Sequence, residues 1–596
     1  MIGRLTSPRA PVAARLALTA QALLAGVSSG SIVAAPGTAG EAEILTLASD
    51  LRLVVQNGRD VELELRASAG DDWATLARRA TGGSVAGAEL ERSNSSVALT
   101  AGAWIRVPVA RLRPELRSIA LRNLFPLDRH EGQDWIHVAR SGALPTYDEG
   151  LWQVAEWFTG DGETFGRLMA ANGLSSPELR EGQELRVPAE ILHPAFRARP
   201  RSDDGALEYG SDADGSFAAY RLKRGEALYS AVVLRFTGRT AADDVQETAE
   251  QLLARSALAD ARDIPVASEI KIPLDLLEPE HLPPDHPRRR AVEQKRAEMN
   301  AALAEQPVAG TRGGLQGVVV IIDPGHGGVD LGTLNHGIWE HDYVYDVACR
   351  LKFALETETA ARVVMTLEDR ETGCLPSTAD RLVANKQGTI LTSPTFLATK
   401  NGDSEIGVNL RWYLANSVYR QAVAGGAGED RVVFLSLHAD SRHPGLRGLM
   451  VYVPGADLRA KTHGSTSSTY GKFKEVREQP TIRFTKNERV RSEAVSRKLA
   501  QSIVTSFRRS GLPVQPYQPV RDKVLRGKQK WLPAVLRGNA VPAKVLVEIL
   551  NLANAEDARL LAEARRREQV ARSLQAALFD HFGEESGGGV ATRAAP

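Results

Sequence analysis

The second half of the chain alternates between two hydrophobic periods. At 318–322 five β-branched residues follow one another without a polar break, the pattern of a strand buried on both faces. The run stops at Asp323-Pro324-Gly325-His326-Gly327-Gly328, a turn sequence. Helical spacing predicts helices over 342–356, 409–423 and 488–509, and a last one over 555–582. Apolar runs predict further strands at 362–366, 432–437, 449–453 and 545–547. Strand and helix in alternation imply an α/β domain, 317–583, with a single mixed sheet flanked by helices.

Upstream, the pattern repeats itself. Three segments close alike, at Ile105-Arg106-Val107-Pro108, Leu185-Arg186-Val187-Pro188 and Ile270-Lys271-Ile272-Pro273, the prolines being 80 and 85 residues apart. Before each stands an acidic or glycine-containing turn that opens a helical pattern: Gly70-Asp71-Asp72, Asp148-Glu149-Gly150 and Lys223-Arg224-Gly225. Each unit reads strand, helix, helix, strand, which predicts small α+β modules over 60–112, 133–193 and 217–278, the third stretched by an insertion at 240–250. Proline closing a strand is tolerated at a sheet edge, where no ladder hydrogen bond is lost. Residues 279–316 read as a charged Pro/Gly linker with a solvated helix at 291–305. At the N-terminus Arg4, Arg9 and Arg15 precede a modest apolar run at 16–27 and then Val33-Ala34-Ala35, the plan of a secretory signal peptide over 1–35. Residues 584–596 are expected to form a disordered tail.

Composition narrows the classes further. The 596 residues suffice for about four domains at ~150 residues each. A net charge of +1 argues against a nucleic-acid partner, and no run of about 18 apolar residues is present to span a membrane. Two cysteines, Cys349 and Cys374, make neither a disulfide framework nor a cysteine-ligated zinc site; one bond or two free thiols both stay open.

Polar residues that close buried strands sit where open α/β sheets place their sites. His326, His438 and Glu548 follow three such strands, and Glu340 opens a helix 14 residues after His326. Two histidines and a carboxylate suit Zn²⁺ with a fourth position left for water, and a further carboxylate could take that water's proton. The plainer alternative is a surface histidine after glycine and a paired buried glutamate. His336, His341 and His443 read as bystanders, Asp323 as a turn former or a support for His326, and 521–530 as solvated basic surface.

Ile322-Asp323-Pro324-Gly325-His326-Gly327-Gly328-Val329-Asp330, Gly337-Ile338-Trp339-Glu340, Leu435-Ser436-Leu437-His438 and Val545-Leu546-Val547-Glu548, in that order, resemble the motifs of the zinc-dependent N-acetylmuramoyl-L-alanine amidases of the amidase-3 type. The resemblance implies that His326, Glu340 and His438 hold zinc and that Glu548 is the general base; Arg411 and Asn416 match a helix of structural importance. The upstream units resemble LysM domains, most closely the second with Asn172, Gly182 and Val187-Pro188. Together these imply a peptidoglycan hydrolase that cuts between N-acetylmuramic acid and L-alanine, is held on the wall by its modules, and is exported to the periplasm or cell wall. A protein activator is a further expected partner. The sequence departs from the family at Asp440, where asparagine is usual, and at Ile549-Leu550-Asn551-Leu552, where Gly-Phe-Leu is usual. It also carries insertions at 371–407 and 455–487, the first a candidate lid. A silent wall-binding protein would lack a ligand or the base, and all four are present; a zinc peptidase of another specificity stays open.

Overall fold

The computed structural model describes residues 42–56, 60–144, 149–304, 314–400, 402–465 and 467–583. The signal-like segment 1–35, the tail 584–596 and Asp148 lie outside these described residues.

In each N-terminal module the first and last strands pair antiparallel, with the two helices between them in sequence. Asp60–Arg66 pairs with Trp104–Pro108, Asp134–Val138 with Glu184–Val187, and Gly215–Arg221 with Glu269–Pro273. A side-chain device explains why the closing strands read alike. Asn94, which ends the second helix of its module, donates from Nδ2 to Arg106 O (3.0 Å) and accepts from Arg106 N (2.8 Å). Asn172 does the same with Arg186, at 2.8 and 2.7 Å. In the third module Ser256 only accepts, from Lys271 N at 2.9 Å, so half of the device is gone.

The first two modules are one body. A single core runs from Leu53 and Leu63 through the helix Pro114–Leu124 to Trp135, Phe158 and Phe196. Inside it lies a charged triad: His137 is fully buried, with Asp128 Oδ2 at 2.9 Å from Nδ1 and Glu149 Oε1 at 3.3 Å from Nε2. Burial disfavours the imidazolium, but Asp128 and then Glu149 outweigh it and raise its pKa to about 9. A raised folded-state pKa stabilises below the unfolded value. The contribution is therefore full below about pH 6.5 and is lost as pH rises through about 9, on the order of 3 kcal/mol in all. Denaturant melts of residues 42–197 at pH 6 and pH 9.5 should show this loss, and His137→Gln should flatten it.

The C-terminal domain is built on β1 (Val319–Pro324), β2 (Arg362–Met365), β3 (Val432–Asp440), β4 (Met450–Tyr452), β5 (Val520–Arg521) and β6 (Ala543–Asn551). They form one sheet in the order β2-β1-β3-β6-β4-β5, parallel except where β4 runs against β6. All residues of β1 and β6 are buried, as continuous apolar runs in a doubly covered sheet require. Helices α1 (Glu340–Glu358), α2 (Asp403–Ala424), α3 (Lys486–Arg509) and α4 (Ala564–Phe582) cover it. One core gathers side chains of α1, α3 and α4, and another gathers those of α2.

Three sequence expectations change, and one open alternative is resolved. The last helix is two, Ala555–Ala562 and α4, broken at the extended Glu563. The break lets the fully buried Arg567 turn onto Asp346 (2.6 Å) and onto the carbonyls of Ala379 and Leu561. The expected solvated linker helix, Pro287–Ala304, instead docks on α3, where Lys295 reaches Asp457 at 2.9 Å and the buried Glu493 at 3.0 Å. Cys349 and Cys374 are joined, tying α1 to the first insertion; a cross-link closing a loop of this size contributes about 3 kcal/mol. The segment 521–530 is not simple solvated surface, because Arg521 is buried and donates to Gly238 O (3.0 Å) in the third module.

Candidate metal centre

In a parallel sheet the carboxyl ends of neighbouring strands lie on one side, and three of them supply the site. His326 follows β1, and His438 on β3 stands directly opposite Glu548 on β6. Glu340 is the first residue of α1, so its carboxylate also lies at the helix end that favours negative charge.

The loop after β1 is held from below. Asp323 is buried and accepts from Thr366 Oγ1, from Ser436 Oγ (2.7 Å) and from the Arg411 guanidinium. Arg411 also donates to Pro324 O (2.6 Å) and to His326 O. This fixes His326 at φ +66°, a left-handed conformation that non-glycine residues seldom adopt without such restraint. Asp323 is thus a buried anchor acting through Arg411, rather than a turn former. Two glycines let backbone and ligands approach closely. A Cβ on Gly325 would stand 2.4 Å from the His438 ring, and one on Gly332 would stand 2.6 Å from Glu340 Oε2.

Glu340 Oε1 lies 3.1 Å from both His326 Nε2 and His438 Nδ1, and one donor atom from each residue falls within 4.8 Å of the others. Thr333 N donates to Glu340 Oε2 and Ala439 N to Oε1, each at 3.1 Å, so the carboxylate cannot swing away. His326 Nδ1 meets Asp330 Oδ1 at 2.9 Å, which orients Nε2 toward the cluster. Burial opposes charge on His326, yet Glu340 and Asp330 outweigh it and raise its pKa to about 10. Burial also works against charge on Glu340, but the two histidines hold its carboxyl far below the usual range. Two imidazole nitrogens and a carboxylate oxygen that converge within 4.8 Å are a donor set that a dication would satisfy, and they fit zinc.

Glu548 stands beside this cluster. It is buried, and its Oε2 has no hydrogen-bond partner among the described residues. Burial first, and then Asp440 and Glu340, push its carboxyl well above the usual range. The two departures from the family sequence meet here at Arg442. Asp440, buried, pairs with Arg442 Nε at 2.7 Å, and Asn551, its register partner on β6, accepts from Arg442 N at 3.0 Å and donates to Leu446 O at 2.9 Å.

These groups line a cavity of about 430 Å³. Part of the first insertion lines one side through Gly388, Ile390, Phe396 and Ala398. The side chains of His326 and His438 keep 23% and 19% exposure. Of the bystander histidines, His336 is exposed, His341 is buried against Gly325 O (2.9 Å), and His443 stacks on Tyr229 of the third module. The structure thus brings together all four residues singled out from sequence. Sequence reasoning missed Asp330, which stood inside the first motif four residues from His326, and Arg442, which nothing local marked.

Residues 320–580 match the family described as N-acetylmuramoyl-L-alanine amidase, and residues 148–188 match the LysM domain. No curated protein matches the chain. Among solved structures, the N-acetylmuramyl-L-alanine amidase Ami1 of Mycobacterium smegmatis is 19% identical, covering 45% of this chain and 99% of its own, with a TM-score of 0.29. The CwlD amidase of Clostridioides difficile, solved in complex with the GerS lipoprotein, is 17% identical over 45% of this chain and 98% of its own, with a TM-score of 0.27. The amidase AmiC2 of Nostoc punctiforme is 18% identical over the same shares, with a TM-score of 0.26.

Proposed function

Residues 320–580 belong to the N-acetylmuramoyl-L-alanine amidases and residues 148–188 to the LysM domains, and on that footing we propose a zinc-dependent amidase with His326, Glu340 and His438 as metal ligands and Glu548 as base. The chain is a peptidoglycan amidase that acts at the cell wall. The observation that carries the metal reading is the convergence of the three donors on one point beside a buried carboxyl with a free oxygen.

A zinc ion there would supply a Lewis acid and bring the pKa of a bound water toward neutrality. The chain's own residues do the rest. Glu548 accepts the proton of the attacking water, whose oxygen bonds to the lactyl carbonyl carbon of N-acetylmuramic acid. As the C–N bond breaks, the same carboxyl returns the proton to the departing L-alanine amine. Asp330 keeps His326 in the ligating tautomer, and the Asp323–Arg411 pair keeps the loop in place. Asp330→Ala is expected to weaken zinc binding 10- to 100-fold, roughly the effect of losing a partner behind a metal ligand, as read by chelator competition.

The LysM module holds the enzyme on its polymer, which raises local substrate concentration without new contacts at the site. The first module shares its core and its asparagine device, and is assigned a second grip on the glycan. Export to the periplasm agrees with the Cys349–Cys374 bond, since such bonds persist in oxidising compartments.

The test is to incubate the chain with peptidoglycan, with and without a zinc chelator, and to identify the new ends by mass spectrometry. Peptides with a free L-alanine amine, abolished by chelation and restored by zinc, are the expected result. Cleavage at another bond would make it a zinc peptidase, and wall binding without release would make it a silent binder.

A further inference from the structure

The third module, degenerate in its asparagine device, is docked on the C-terminal domain. His443 N donates to Thr240 O at 2.9 Å, and Lys523 Nζ reaches Glu278 at 2.9 Å. Leu446 enters the module's hydrophobic core. Directly after Lys523 comes a hairpin of Val524–Arg526 and Gln529–Trp531. Its turn is gripped on both sides of Gly527: the Arg239 guanidinium donates to Gly527 O, and Gly527 N donates to Asp244 Oδ2 at 2.8 Å. The base of the hairpin pairs Val524 with Trp531, and both line the cavity that holds His438 and Glu548. Trp531 is 43% exposed there, although large aromatic side chains are ordinarily buried deeper.

We propose that Trp531 is a stacking platform for a pyranose ring of the glycan strand beside the scissile residue, and that the third module serves as the clamp that sets it in place. This rests on the amidase reading above. A pyranose whose ring substituents are equatorial presents a face of axial C–H groups, which packs on the face of an indole. Arg526, Lys528 and Lys530, all exposed on the same hairpin, add positive charge suited to the carboxylates that such a polymer carries. Arg239 and Asp244 touch no substrate; they are positioning residues acting through Gly527. A two-stranded hairpin is marginal by itself, so a platform built on one needs an outside support.

The test compares two substrates on the full chain: a single N-acetylmuramoyl tripeptide, and the same tripeptide on a tetrasaccharide. Trp531→Ala should raise KM for the tetrasaccharide substrate about tenfold, leave kcat within about twofold, and leave the single-sugar substrate unchanged. Trp531→Phe should restore most of the loss. The pair Arg239→Ala and Asp244→Asn should reproduce the KM effect more weakly, with circular dichroism and melting confirming that the variants are folded. Equal effects on both substrates, or none on either, would overturn the platform. An effect of Trp531→Ala without one from the Arg239/Asp244 variant would overturn the clamp. Absence of any free L-alanine amine with the unmodified chain would instead remove the amidase reading itself.

Discussion

Glu548→Gln is expected to lower kcat by two to four orders of magnitude, the usual contribution of a positioned acid–base group, while zinc content stays unchanged. The reason is geometric and electrostatic together. Glu548 is not among the three converging donors, so its loss should not empty the metal position. Its carboxyl is buried, faces Asp440 and Glu340 nearby, and keeps one oxygen unpartnered among the described residues. A neutral amide of the same shape removes the proton acceptor and leaves the packing intact. It also relieves the burial of a carboxyl among other carboxyls. The metal-free Gln variant should therefore melt higher than the metal-free parent, by the few degrees that about 1 kcal/mol produces. Activity lost together with stability would point to a structural role for Glu548 and would sink its assignment as the base. Mass spectrometry of released ends, metal analysis and calorimetry on the same preparation separate the two outcomes.

Glu340→Ala should have the largest effect of any single change. Hydrolysis should fall to background, because a Lewis acid supplies several kcal/mol to such a reaction and this variant removes one of the three proposed ligands. The damage goes beyond the metal. The Glu340 carboxylate stands 3.1 Å from each histidine and accepts from the backbone N–H groups of Thr333 and Ala439. Deleting it removes the carboxylate that faces both rings and leaves Asp330 as the carboxylate against His326, and breaking a buried pair of this kind costs about 3–5 kcal/mol. Glu340→Gln should keep the backbone contacts and recover part of the stability without recovering activity. Zinc bound by the Ala variant with parental affinity would refute this ligand set.

The candidate site was legible because the chemistry sits at the ends of strands. β1 and β3 are runs of buried residues that a polar side chain cannot interrupt without a partner, so His326 and His438 stood out where the runs stop. Glu548 stood out in the same way within β6. The modules were legible for a different reason: each closing strand must present the same backbone groups to the end of its second helix, and the Val-Pro endings repeat with that constraint. The sequence by itself therefore determined the α/β sheet, the repeated βααβ units and the four residues of the candidate site, all properties set by local period or short motif. Only the tertiary structure decided that Asp323 acts through Arg411, 88 residues away, and that Cys349 meets Cys374. It alone revealed that the linker helix docks through Lys295 and that the third module grips the hairpin at Gly527. Those partners are far apart along the chain, and a charged or glycine residue carries no local mark of the surface it will meet. Burial and distance, which decide whether a charge is solvated or structural, exist only once the chain has folded.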